Sequence, residues 1–574
     1  MAMTTDEGAA PQAAIPIALT GARKARGNLT QARIRWVILG LIIIFCIVGG
    51  RLIQLGSIVT DTTIEGQARD VISATRPAIL DRNGIEMAVD IRVPSLFAEP
   101  RRIIDVDEAV AKLHEVLPEL SPDYLRSRLS GDKGFVWIKR ELTPAIEEKV
   151  NHLGIPGLDF VTESKRFYPG GSEASHILGS VNIDNQGIAG IERTMDQEDV
   201  ALLQSLGLAR GQTLTPVTLS VDMRIQHIMR EQLVDSLTRY QAAASAAAMI
   251  NIKTGEIIAM SSLPDFDPND PATALEGGRM NRITAGKYEL GSTFKTITFA
   301  GALDSGAVKI TDSFDARFGV RFGRFTITDF HGQNRILTVP EIYKYSSNVG
   351  TIHMMQTWGK DNYRAFIHKI GFDDPSPLEL PEKTGSNIPA KFSDVGAATA
   401  SFGHGLAITP LHMLSAVAAF VNDGNYVPPT IYKRTEAQAK AMYKPLISEH
   451  TSQLIRYLFR LNALEGSGSR AEKFAGGYRI GGKTGTAEKV VNGRYSSTLN
   501  FNAFASAFPM DNPQYAMIVI IDQPHRENPQ TGDTAGWNAG EIAGRIVQQS
   551  APLLGIAPDY STMLDDELTP VELR

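Results

Sequence analysis

Cysteine is all but missing. Cys46 is the only one in 574 residues, so no disulfide can form within the chain, which agrees with an oxidising compartment without establishing one. Histidines, cysteines and carboxylates nowhere gather at ligand spacing; this argues against a structural or catalytic zinc site and leaves no cofactor to expect. An excess of positive charge is missing too. The 57 Lys and Arg against 63 Asp and Glu leave a net charge of −6, with no general attraction for nucleic acid. The segment Phe318 to Phe325 does alternate aromatics with basic residues, counting Arg317, Arg321 and Arg324, a pattern met in single-strand binders. A hairpin with an exposed basic face explains it more simply.

Long apolar runs are scarce as well, and the one present is short. Trp36 to Gly50 carries no charge; Arg51 follows, then Leu52-Ile53-Gln54-Leu55. A membrane span needs about 20 residues, a length reached near Ile58 if Arg51 snorkels to the headgroups. Residues 1–35 then form a small, polar cytoplasmic tail and 36–58 an uncleaved anchor. Arg23, Lys24, Arg26, Arg33 and Arg35 stay in the cytoplasm, the body is exported, and Cys46 faces lipid. The rival reading is a cleaved signal peptide, but no convincing small-x-small site follows the core and Cys46 lacks the small neighbours of a lipoprotein site.

With 43% apolar residues the exported part has material for sizeable cores, and its length suits about two to four domains. From 59 to 215 short strands alternate with helical pieces and frequent Gly/Pro punctuation, as in an elongated α+β pedestal. Nothing there carries chemistry: Trp137 within Phe135-Val136-Trp137-Ile138 reads as core, and the acidic pairs as solvated face. Leu219 to Gln226 opens a second domain, 216–555, with Asp222 as a helix N-cap. Residues 556–574 form a C-terminal tail.

The chemistry is concentrated in that second domain. Ser292-Thr293-Phe294-Lys295 places a hydroxyl and an amine three residues apart at the start of a run that reads as a helix, closed by Asp304-Ser305-Gly306. Both side chains lie on one face, one turn apart, so the amine can take the hydroxyl proton. Ser130-Gly131-Asp132-Lys133 has the same spacing but is a turn, with no helix under it. Two more clusters follow downstream: Ser346-Ser347-Asn348, and Lys483-Thr484-Gly485-Thr486.

These too have decoys in Ser180-Val181-Asn182, Lys253-Thr254-Gly255 and Lys383-Thr384-Gly385. Setting separates them. Lys253 tips a hairpin between two apolar strands, Lys383 lies in a loop between Pro381 and Pro389, and Lys483 lies on a strand with glycines where a ligand backbone can approach. Phe501 to Phe508 and Tyr515 to Ile521 read as further strands, the second unbroken and therefore buried on both faces, and Ala539 to Leu554 as a closing helix. Ala503, Ala505 and Ala507 line one face with small side chains on which a helix, such as the one under Ser292, can pack.

On these three clusters the chain resembles the class B penicillin-binding proteins, particularly the septal transpeptidases of Gram-negative division; serine-x-x-lysine with a lysine-threonine-glycine triplet is their shared pattern. The likeness runs from about residue 65 to 550. It includes Arg76 to Gly84, Arg166-Phe167-Tyr168-Pro169, Gly187 to Glu192, Thr254 to Met260 and Ser401 to Pro410. Pro77 and Leu290 depart from the usual glycine and proline, and neither touches a reacting group.

The resemblance implies a five-stranded antiparallel sheet flanked by helices, and a D,D-transpeptidase that cross-links peptidoglycan stem peptides in the periplasm. Lys295, neutral through burial and the Lys483 cation, would deprotonate Ser292 for attack on the penultimate D-alanine. The oxyanion would lie between the N–H groups of Ser292 and Thr486, a device worth about 3 to 4 kcal/mol per donor elsewhere. Ser346 would return the proton to the leaving D-alanine, and Asn348 would hold the substrate amide. Lys483, Thr484 and Thr486 would bind the terminal carboxylate, and Gly485 would let the substrate lie along the strand.

β-Lactams would acylate Ser292. No glycan-polymerising pattern precedes this domain, so a membrane glycan polymerase and other divisome proteins are expected partners. Alternatives are an elongation-type transpeptidase, a D,D-carboxypeptidase or β-lactamase, a non-enzymatic β-lactam sensor, and a pure scaffold. His404, between glycines, reads as structural.

Overall fold

The computed structural model describes residues 36, 38–49, 76–197, 215–491, 494–561 and 563–574. A helix covers 38–49 with its apolar side chains largely exposed, and no helix among the described residues is long and apolar enough to cross a membrane. The 1–35 tail, most of the remainder of the expected 36–58 anchor, and the stretches 59–75 and 198–214 lie outside the described residues.

The chain divides into two compact units. The smaller includes Phe97–Ile138 and Ile155–Val161. Asp105 caps its helix Val106–Val116 by accepting from the Asp107 and Glu108 N–H groups, and Ser121 caps Pro122–Leu129. Trp137 is not the core residue expected of it. It is only half-buried, edge-on to Phe135 at 4.8 Å, while its strand neighbours Val136 and Ile138 point inward, because side chains alternate across a strand.

The larger unit holds Ile72–Leu96, Lys139–Gly154 and Thr162–Arg574. Near its N-terminal end lies a fully paired charge cluster. Glu192, wholly buried, takes Arg76 at 2.8 Å on one oxygen and Arg166 at 2.6 Å on the other; Asp90 holds Arg166 at 3.0 Å and Asp196 holds Arg76 at 2.6 Å. Arg76, Arg166 and Glu192 belong to three of the motifs singled out in the sequence, so those motifs meet in one buried network.

The remainder of this unit is built on a sheet of β1 (Ala244–Asn251), β2 (Ile257–Leu263), β3 (Gly481–Val491), β4 (Arg494–Phe508) and β5 (Tyr515–Asp522). Its order is β3-β4-β5-β1-β2, antiparallel throughout, as the resemblance implied. Lys253 to Gly255 do form the tip between β1 and β2, and Lys383 to Gly385 a loop.

Helices cover both faces: α1 (Met223–Arg239), α2 (Lys295–Asp304), α3 (Asn348–Trp358), α4 (Pro410–Val421), α5 (Glu449–Glu465) and α6 (Ala539–Ser550). Asp222 caps α1 as expected, accepting from the Arg224 N–H. The period of two sorts the sheet cleanly. Ala247, Met249, Phe504, Phe508, Met517, Val519 and Ile521 pack with α1 and α6, whereas Ala246, Ala248, Ala503, Ala505, Ala507, Ile518 and Ile520 face the opposite core. β5 is apolar on both sides, hence its unbroken run.

The helix lying over the alanine face is α4, which contacts β1, β4 and β5, and not the helix behind Ser292. That helix, α2, packs against α3, α4 and α5, and the turn before it packs on β3 and β4. An alanine stripe tells that some helix comes close, but not which one.

Candidate active site

Ser292 lies in a single 3₁₀ turn, Gly291–Phe294, and Lys295 begins α2 with its N–H bonded to the Ser292 carbonyl. The two side chains are therefore one turn apart on the same rod. The turn is pinned by backbone contact from two directions. A Cβ on Gly485 would collide with the Leu290 carbonyl oxygen, and one on Gly403 (φ +91°) with the Gly291 carbonyl oxygen. Gly485 is thus required by the serine turn beneath β3, a need that the sequence did not reveal. The same contact brings the Thr486 backbone beside Gly291, next to the Ser292 N–H.

Lys295 and Lys483 are both fully buried, and Ser346 stands between them. Its Oγ takes a hydrogen bond from Lys295 Nζ at 3.1 Å and from Lys483 Nζ at 3.0 Å, and its carbonyl also accepts from Lys295. No hydrogen bond joins Lys295 to Ser292 Oγ, so the amine is engaged by Ser346 instead. Ser346 has φ +56°, a strained conformation for a residue with a Cβ, and that strain aims its hydroxyl at both amines.

Burial is the main force on the electrostatics. It drives the Lys295 pKa well below the ordinary lysine value, the Lys483 charge adds to the fall, and Asp329 opposes it. Lys295 is therefore suited to be a neutral base. Lys483 is itself pushed down to about 7 by burial, and a carboxylate brought beside it would favour its charged form. The Tyr343 ring lies 5.8 Å from its ammonium and favours the charged form.

Asn348 begins α3, half-buried, its amide directed to the Thr328 carbonyl at 3.4 Å. Thr484 Oγ1 is bonded to Ser467 Oγ. Thr486 Oγ1 accepts from the Ala535 N–H at 3.0 Å, which leaves its proton to donate. All eight expected residues thus fall in Gly291–Lys295, Ser346–Asn348 and β3, and these pieces meet.

Sequence reasoning missed the residues that hold them. Asp329 accepts from Ser347 Oγ at 2.7 Å, from the Val349 N–H at 2.9 Å and from the Asn348 N–H, thereby fixing the turn that carries Ser346. His404 lies near Lys295, its pKa pushed to about 4 by burial and by that neighbour, and its Nδ1 has no partner. Beside it Glu289 accepts from the Gly405 N–H at 3.1 Å and from Tyr495 OH at 3.2 Å. Each acts across a long sequence gap and leaves no local spacing to find.

The profile of the penicillin-binding protein transpeptidase domain matches residues 245–548, more than half of the chain. The chain belongs to this family. The penicillin-binding protein dimerisation domain matches residues 71–200. Among relatives of this penicillin-binding protein, the probable peptidoglycan D,D-transpeptidase FtsI of Caulobacter vibrioides is 33% identical, covering 84% of this chain and 82% of that protein. The peptidoglycan D,D-transpeptidase FtsI of Escherichia coli is 27% identical, covering 90% and 91%. A crystal structure of penicillin-binding protein 3 of Mycobacterium tuberculosis complexed with aztreonam shares the fold. Its TM-score is 0.64 at 22% identity, covering 84% of this chain and 97% of that one.

Proposed function

We propose that this penicillin-binding protein is a peptidoglycan D,D-transpeptidase of septal wall synthesis, working through a Ser292 acyl-enzyme. The observation that carries the reading is the Ser346 hydroxyl bridging two buried lysine amines at 3.1 and 3.0 Å. Neutral Lys295 takes the Ser292 proton as Oγ attacks the penultimate D-alanine carbonyl, and the N–H groups of Ser292 and Thr486 hold the oxyanion. Ser346 relays the proton from Lys295 to the departing D-alanine. Lys483, with Thr484 and Thr486, binds the terminal carboxylate, whose arrival favours the charged form of Lys483. Asn348 holds the substrate amide, and the acyl group passes to the amine of a second stem peptide.

The names of the relatives support the septal assignment and, with it, a membrane glycan polymerase and other divisome proteins as partners. The apolar stretch 36–58 serves as a single inner-membrane anchor, with the catalytic domain in the periplasm. Mass spectrometry of the chain incubated with a fluorescent penicillin tests the chemistry. One adduct is expected on Ser292 and none in Ser292→Ala; label persisting in that variant overturns the assignment.

A further inference from the structure

The pocket proposed above is cationic, as befits a donor peptide that ends in a carboxylate. The second substrate is different, since an acyl acceptor arrives as a primary ammonium. Glu289 lies three residues before the nucleophile and directly before Leu290, the residue that leads into the serine turn. It is half-buried and makes no ion pair among the described residues; its hydrogen bonds come from the Gly405 N–H at 3.1 Å and Tyr495 OH at 3.2 Å. Burial raises its pKa, and those two donors offset only part of that cost.

A partly desolvated carboxylate without a cation is stabilised by one that comes from outside. The neighbouring wall continues from Gly403, whose backbone abuts Gly291, through His404 near Lys295, to Tyr495, whose ring is 6.0 Å from that of His404. Glu289 shares no hydrogen bond with Ser346, Asn348 or Lys483; its link to the serine turn runs through Leu290 and through the Gly403–Gly405 segment, whose Gly403 abuts Gly291.

We infer that Glu289 binds the ammonium of the acyl acceptor and so favours aminolysis of the acyl-enzyme over hydrolysis. The inference rests on the Ser292 acyl-enzyme proposed above. The acceptor ammonium loses one proton to bulk water, and its nitrogen then attacks the ester carbonyl. As the amide C–N bond forms and the ester C–O bond breaks, a second proton passes through Lys295 to Ser292 Oγ, restoring the hydroxyl. The third stays on the amide nitrogen.

The test uses a thioester donor and compares three acceptors competing for one acyl-enzyme: water, glycinamide as an ammonium that carries no carboxylate for the Lys483 pocket, and hydroxylamine as a nucleophile largely uncharged at neutral pH. In Glu289→Gln the ratio of glycinamide transfer to hydrolysis should fall roughly tenfold, the effect of losing a charged hydrogen-bonding partner. The ratio of hydroxylamine transfer to hydrolysis should move less than about twofold. Tyr495→Phe, which loosens the wall but keeps the carboxylate, should leave both ratios within about twofold.

An unchanged glycinamide ratio in Glu289→Gln overturns the inference. So does an equal fall for hydroxylamine, or a Tyr495→Phe ratio as low as that of Glu289→Gln; either outcome makes Glu289 a structural latch. Each ratio is taken from one acyl-enzyme pool, so partial misfolding cancels. Failure of the wild-type chain to bind penicillin at Ser292 would sink the acyl-enzyme reading itself, a result separable from all of these.

Discussion

Two buried charge clusters in the larger unit are built to opposite rules. Around Glu192 every charge has an opposite partner, two arginines against three carboxylates. Around Ser346 two lysines share one neutral hydroxyl, and neither forms a salt bridge among the described residues. The consequences for protonation are opposite. Burial alone would lower the Arg166 pKa, but Glu192 and Asp90 more than reverse it, whereas nothing reverses the fall at Lys295. Pairing makes a buried charge structural, and withholding the partner makes it reactive.

Removing the reactive amine gives the largest effect. Lys295→Met should slow penicillin acylation roughly a hundred- to ten-thousandfold by stopped-flow, since a general base is lost, while the melting temperature holds or rises. A clear fall in melting temperature would mean that the lysine is structural after all.

Breaking the paired cluster comes next. Glu192→Ala leaves Arg76 with Asp196 and Arg166 with Asp90 but takes away the carboxylate they share in the interior, and should cost about 3–5 kcal/mol in urea unfolding. A loss within about 1 kcal/mol would erase the contrast between the clusters.

Gly485→Ala sharpens it from the side of packing. The methyl group must displace the serine turn, at about 1–3 kcal/mol, and acylation should slow along with it.

The mildest test is pH. Acylation by a carboxylate-bearing substrate should rise as Lys295 loses its proton and fall again near pH 7, as Lys483 loses its own. Lys483→Arg, which stays charged, should abolish the falling limb. For stability the sign is the reverse. Between about pH 7 and 10.5 the folded chain holds fewer protons at Lys483 than the unfolded chain. The contribution of this group is therefore full above 10.5 and is lost as pH falls towards about 7. Lys483→Met should accordingly stabilise the protein most at and below neutral pH, with the gain fading as pH rises.

What was legible in the sequence was what local pattern encodes. The spacing of Ser292 and Lys295 survives into the turn and α2, and the apolar run at Met517 to Ile521 becomes the doubly covered β5. The Lys253 and Lys383 decoys fall in a hairpin tip and a loop, where their neighbours put them. What was not legible depends on which distant pieces meet. Asp329 is an ordinary acid until the Ser347 hydroxyl arrives beside it, and Ser467 an ordinary serine until β3 brings up Thr484. The pressure of the Leu290 carbonyl on Gly485 was not legible either, because sequence shows that a residue is small but not what presses on it.

The serine turn pressed between Gly403 and Gly485 also bears on resistance to acylating drugs. Any side chain at either glycine meets main-chain oxygen, so selection has almost no room to remodel that wall without damaging the enzyme. Exposed side chains such as Phe330, which follows Asp329 in the chain, can by contrast be exchanged without displacing buried neighbours.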